Sequence, residues 1–134
     1  MSRKVTVAVA VVMTLSITAC GSGICERIEA ADTRFFAGKS ECQSTEGGVT
    51  ITISKARWLG GAAFSASSCN RSISKCTSAD NTLLDAYAKC VEAAPACTAG
   101  GEKAAVDAIR ACTLQLVDSM GSSKLSAECT AVLR

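Results

Sequence analysis

The chain has 134 residues, nine cysteines, no histidine, five aromatic residues and one proline, with a formal net charge of +2. One domain is the default at this length, and the cysteine density places it among disulfide-stapled exported proteins. Without histidine the commonest general base and the commonest metal ligand are missing, and so small a charge does not indicate a nucleic-acid binder.

The chain opens with Arg3 and Lys4 ahead of Val5–Ala19, an uncharged and mostly apolar run that reads as an export signal. At fifteen residues the run is shorter than the roughly 18 needed to cross a bilayer as a helix. It ends in Ile17-Thr18-Ala19-Cys20, followed by Gly21-Ser22-Gly23. An aliphatic residue, two small residues and a cysteine at the end of a signal resemble the lipobox of bacterial lipoproteins, with Ile17 where leucine is commonest. That resemblance implies diacylglyceryl transfer to the Cys20 sulfur, cleavage before Cys20 and acylation of the new amino group. The partner it implies is the lipid bilayer, through acylated Cys20, in a bacterial cell envelope. In proteobacterial lipoproteins a residue other than aspartate after the cysteine, here Gly21, favours the outer over the inner membrane, facing periplasm or exterior. Ordinary signal cleavage, leaving a soluble secreted protein, is the competing reading.

Cysteine parity points the same way, because setting Cys20 aside leaves eight cysteines, which can close four disulfides. The excess charge also belongs to Arg3 and Lys4, so the remainder of the chain is balanced and has no run of basic residues. The expected organisation is a signal peptide over 1–19, a lipidated tether over 20–24 and a single cysteine-rich domain over 25–134. From Cys20 to Cys25 the extended tether spans at most about 17 Å, which holds the domain close to the membrane.

Cys25, Ile28, Ala31 and Phe35 recur at helical spacing before Gly38, predicting a short amphipathic helix over 25–37. Its acidic members Glu26, Glu29 and Asp32 are expected on a solvated face. After Gly47-Gly48, Val49–Ser54 alternates apolar with small polar residues, the period of a strand with one buried face. Trp58–Phe64 offers it a hairpin partner through Gly60-Gly61, although its second half is a poor strand by propensity. Lacking a partner within the chain, the strand would be an exposed edge open to augmentation by another protein.

Ser78 reads as an N-cap with Asp80 in the first turn, opening a helix whose Leu83, Leu84, Tyr87, Val91 and Ala94 share a face until Pro95. A second helix runs from Gly100-Gly101 to Gly121, with Val106, Ile109, Cys112, Leu116, Val117 and Met120 on neighbouring faces. The short connection predicts an antiparallel helical hairpin. Leu125, Cys129 and Val132 suggest a short final helix. The expected fold class is therefore mainly α: a small disulfide-stapled domain with a central antiparallel helical hairpin and room for one short β-hairpin.

The eight expected disulfide cysteines are Cys25, Cys42, Cys69, Cys76, Cys90, Cys97, Cys112 and Cys129. Two nearly equal arms of a helical hairpin would set Cys76 opposite Cys112 and Cys90 opposite Cys97, predicting those two bridges. The arrangement resembles the nested bridges of twin-cysteine helical hairpin proteins in architecture and implies no function. Cys25 with Cys42 and Cys69 with Cys129 are the expected remaining pairs, with a local Cys69 to Cys76 bridge as competitor. Such bridges belong to an oxidising compartment. A zinc site is not expected, since no C-x2-C pair and no histidine are present.

Several chemical motifs are incomplete. Ser72-Ile73-Ser74-Lys75 matches S-x-x-K of penicillin-binding proteins and β-lactamases, but their S-D-N and K-T-G companions are missing, so a solvated loop is expected. Gly38-Lys39-Ser40 resembles the end of a phosphate-binding loop, but Thr33 stands where that loop needs glycine. Asn70-Arg71-Ser72 is an N-glycosylation sequon, without weight in a bacterial cell. Trp58, Phe35 and Phe64 are expected in the core rather than in a ligand pocket.

No catalytic residue, cofactor or metal is expected from these motifs. The reading that follows is a membrane-anchored binding or structural module of the envelope, with an envelope protein as its possible partner. The alternative is a disulfide-stapled helical carrier of an apolar ligand, or an inhibitor of a secreted enzyme. It would resemble the eight-cysteine lipid-transfer and seed-inhibitor proteins, whose C-C and C-x-C signatures are missing here. The chain as a whole resembles small cysteine-rich envelope lipoproteins.

Overall fold

A computed structural model describes residues 22–57, 63–121 and 124–133. The signal segment, Cys20 and Trp58 lie outside the described residues. In chain order the elements are helix α1 (Ser22–Phe36), strands β1 (Glu41–Glu46) and β2 (Val49–Ser54), a 3-10 turn (Lys55–Arg57), and helices α2 (Ala66–Ile73), α3 (Ser78–Ala93), α4 (Glu102–Gly121) and α5 (Ala127–Thr130). A final 3-10 turn, Ala131–Leu133, follows. The fold is mainly helical around the α3–α4 hairpin, with one β-hairpin and four disulfides.

Helix α1 buries Cys25, Ile28, Ala31, Phe35 and Phe36, and the two phenylalanine rings meet edge to face at 5.0 Å. Ala37 (φ 48°) and Gly38 (φ 83°) then enter the left-handed region, which ends the helix and turns the chain into β1. Arg27 on α1 holds α3 with a forked pair of hydrogen bonds to Glu92 (2.8 and 2.5 Å) and a third bond to Asp85 (2.6 Å). One turn or two along the same face, the Arg34 guanidinium donates to the carbonyls of Val91, Glu92 and Ala94 at the end of α3, where the helix runs out of its own donors and the Val91 carbonyl also accepts from the Ala94 amide (3.3 Å).

The β-hairpin corrects the sequence expectation. Val49–Ser54 is a strand whose partner is Glu41–Glu46, antiparallel, with Cys42 opposite Ile53 and Ser44 opposite Ile51, while residues 58–62 of the expected partner Trp58–Phe64 lie outside the described residues. The turn is Gly47-Gly48, at φ 57° and 80°, the signs required by a two-residue type I′ turn that matches the strand twist. Cys42 and Ser44 face inward and are buried, so this mostly polar strand has the alternation of a half-buried one.

Helix α2 replaces the loop expected around Ser72. Three positions, Ala66, Cys69 and Ile73, are enough to bury one side of it. Its low intrinsic propensity is offset from α1, where the Glu29 carboxylate accepts from the Ala66 amide (3.0 Å) at the helix start and Glu26 accepts from the Asn70 side chain (2.6 Å). Two of the three acidic residues expected on a solvated face thus bind a neighbouring helix.

The N-cap of α3 is Thr77 rather than Ser78. Thr77 Oγ1 accepts from the Asp80 amide (3.2 Å), and Asp80 Oδ2 accepts from the Thr77 amide (2.8 Å), a complete capping box. The other Asp80 oxygen accepts from the Ser126 amide (2.8 Å), and the Ser126 hydroxyl donates to Oδ2, so one carboxylate both starts α3 and pins the C-terminal segment. That segment buries Leu125, Cys129, Val132 and Leu133.

All four expected pairings are replaced. The bridges are Cys25–Cys69, Cys42–Cys97, Cys76–Cys129 and Cys90–Cys112, with Cα separations of 4.7 to 5.9 Å. The reason lies in the connector between α3 and α4. The Cys97 amide donates to the Phe35 carbonyl (2.7 Å), which draws this loop toward the end of α1 and puts Cys97 beside Cys42 on β1. Cys90 therefore meets Cys112 across the helical hairpin, and Cys76 and Cys129 join at its far end.

Burial pushes the Asp80 carboxyl up, but the bonds from Ser126 and Thr77 outweigh it and hold the group at about 2. A depressed carboxylate contributes stability above the unfolded pKa near 4 that is lost as pH falls toward 2. Asp80→Ala should cost about 2–4 kcal/mol at pH 7 by urea unfolding of the oxidised protein, and the difference from wild type should shrink on acidification to pH 2.

Candidate functional site

Strand β1 lies over α4 and β2 extends past it. The inward residues of β1 are buried, whereas Ile51 and Ile53 on the same face of β2 are only half-covered. Between β2 and α4 this overhang leaves an open cavity of about 410 Å³. Ile51, Ile53, Ile109 and Leu114 form its apolar walls, and Arg57 and Arg110 stand at it with no ion pair among the described residues. The three large apolar side chains left most exposed, Val49 (64%), Leu114 (57%) and Val117 (45%), belong to these same two elements. A continuous apolar surface beside unpaired cations is a feature of binding faces.

The hydrogen-bonding direction of β2 sharpens this picture. The Lys55 amide donates to the Ser40 carbonyl (2.9 Å), which makes Ser40 and Lys55 a bonded pair. Bonded pairs alternate along an antiparallel ladder, so Cys42/Ile53, Ser44/Ile51 and Glu46/Val49 are bonded as well. The amides and carbonyls of Thr50 and Thr52 and the amide of Ser54 consequently point away from β1, and no backbone partner meets them among the described residues, while the Ser54 carbonyl opens the 3-10 turn Lys55–Arg57. Val49–Ser54 also carries no charge, proline or bulge, the usual devices that blunt an edge.

The incomplete chemical motifs fall elsewhere. Ser72 lies in the last turn of α2 and Lys75 in the turn beyond it, with no hydrogen bond between their side chains among the described residues. Gly38-Lys39-Ser40 follows the end of α1, where the free backbone groups are carbonyls, the wrong polarity for a phosphate. Phe35 is fully buried and Phe64 packs partly covered against the core. No group of metal-ligating side chains forms among the described residues.

Glu26 and Glu29 are exposed as expected of a solvated face, but Asp32 is not: it is only 3% exposed, and its Oδ1 has no hydrogen-bond partner among the described residues. Burial raises the carboxyl to about 6, against the pull of Lys55, while Glu29 adds to the rise. None of these residues lines the groove, so the strain of Asp32 belongs to the packing of α1.

The sequence offers the open edge only as the alternative to a Trp58–Phe64 partner strand, and it leaves no trace of the groove. The usable signal was Gly47-Gly48, a two-residue glycine turn directly before the strand. No protein-family model matches the chain, and neither does a curated protein or a solved structure. The geometry of the edge and groove therefore carries the functional reading.

A raised carboxyl binds more protons folded than unfolded, so its penalty is absent below about pH 4 and grows as pH rises through 6. Asp32→Asn should raise stability at pH 7.5 by about 1–3 kcal/mol and flatten the stability profile between pH 4 and 7. Urea titrations across that range check both effects.

Proposed function

We propose that the protein is a lipid-anchored binding module of a bacterial cell envelope, attached through acylated Cys20 and presenting the β2 edge and its groove to a protein partner. The observation that carries the anchor is the pairing of all eight cysteines from Cys25 onward, which leaves no thiol of the folded domain for Cys20. Cys20 ends the lipobox-like Ile17-Thr18-Ala19-Cys20, and α1 begins at Ser22, so a lipid on Cys20 would hold the domain against the bilayer. No described helix is long and apolar enough to cross a membrane. Attachment then rests on the acyl chains, and two or more give stable anchoring at about 0.8 kcal/mol per buried CH₂. Gly21 favours the outer membrane.

The partner side of the reading rests on the open edge and on the apolar walls of the groove beside it, which suit an extended segment with apolar side chains. The groove's apolar walls favour one further reading, carriage of an apolar ligand. Saturable uptake of a fluorescent fatty acid that Leu114→Arg abolishes would support carriage, whereas no uptake excludes it.

Cys20→Ser should shift the protein from the membrane to the soluble fraction and abolish incorporation of labelled palmitate. Unchanged partition and labelling would contradict the anchor.

A further inference from the structure

We propose that the β2 edge pairs with the β2 edge of a second copy of this chain, joining two hairpins into one four-stranded antiparallel sheet across a two-fold axis at Thr52. This goes beyond the anchor and does not depend on it.

The register follows from which groups are free. Thr50 and Thr52 turn their amides and carbonyls outward and Ser54 turns out its amide, and the register that engages all three residues sets Thr52 opposite Thr52 of the second copy. Thr52 and its symmetry mate exchange two N–H···O bonds, and Thr50 then faces Ser54 of the other copy, where each Ser54 amide donates to a Thr50 carbonyl. Ile51 falls opposite Ile53 on the groove side, a β-branched cross-strand pair of the kind that stabilises sheets. Added beside β2, the second strand would set its own Ile51 and Ile53 beyond the overhang, over the open side of the groove. It would also bring together the exposed Leu114 and Val117 of the two α4 helices beneath the new sheet.

Charge fits the same register. The turn end of the hairpin carries Glu46, 72% exposed even with Lys103 at 3.1 Å, and the other end of β2 carries Lys55 and Arg57. Antiparallel pairing sets the turn end of one hairpin, with Glu46, beside Lys55 and Arg57 of the other, which would give Arg57 a counter-charge that no described residue supplies. A parallel arrangement would stack like charges instead.

The two-fold axis supplies a specific test, because Thr52 is the one strand residue that meets itself. Its side chain is exposed, and its backbone takes no part in bonding β1. In the full chain, purified in detergent and followed by sedimentation equilibrium, wild type should dimerise reversibly. Thr52→Lys and Thr52→Asp should each weaken self-association at least tenfold by setting like charges face to face, with unchanged far-ultraviolet circular dichroism. Mixing the two variants should restore a dimer of one copy of each. A wild type that stays monomeric, variants that dimerise as wild type does, or a mixture that fails to associate would overturn the proposal. Binding of an extended peptide at this edge by a monomeric wild type would assign the edge to a foreign strand and overturn it likewise.

Discussion

Four disulfides hold together a chain that has little else with which to make a large core. Cys25, Cys42, Cys69, Cys97, Cys112 and Cys129 are each no more than 2% exposed, so the bridges are part of the buried interior. They close sequence separations of 44, 55, 53 and 22 residues, each restricting the unfolded chain by about 3–4 kcal/mol in the loop-entropy description. The loops overlap: Cys42–Cys97 crosses each of the other three, so their effects do not add independently. Polar contacts finish what the bridges begin. Arg27 and Arg34 fasten α1 to α3, and Asp80 fastens the last segment to the start of α3.

Helices with a long apolar period were legible in the sequence. Leu84, Tyr87, Val91 and Ala94 on α3, and Val106, Ile109, Cys112 and Leu116 on α4, are buried as their spacing demands. Leu83 and Met120 are only partly buried, and Val117 is left half-exposed because it lies on the side of α4 away from its cover. The α2 helix and the strand β1 were not legible, for a shared reason: their stability comes from outside their own residues. Serine and asparagine give α2 poor propensity, and Glu29 and Glu26 of α1 supply what it lacks. Glu41–Glu46 has one strongly apolar residue, Cys42, whose burial depends on a bond to Cys97 far along the chain. The pairings failed as predictions because a symmetric helical hairpin was assumed, whereas the Ala94–Gly101 connector is drawn to Phe35.

The same economy explains where binding can occur. A two-stranded sheet laid over a single helix cannot cover both of its strands, so among the described residues β2 keeps an unpaired edge and a half-dry face. Helix α1 spans about 22 Å, and the hairpin leaves from its far end. A lipid at Cys20 would thus tether one end of α1 while the edge emerges from the other. The candidate site was legible only in part. Alternation in Val49–Ser54 announced a strand and raised the prospect of an open edge, but Arg57, Arg110 and the α4 wall of the groove left no local pattern.

The central claim is that these cysteines divide into one anchor and four specified bridges. Mass spectrometry of unreduced proteolytic fragments from the envelope-expressed protein measures this directly. The account predicts Cys25 joined to Cys69, Cys42 to Cys97, Cys76 to Cys129 and Cys90 to Cys112, with Cys20 in no bridge. A disulfide that includes Cys20, or Cys90 joined to Cys97, would contradict it.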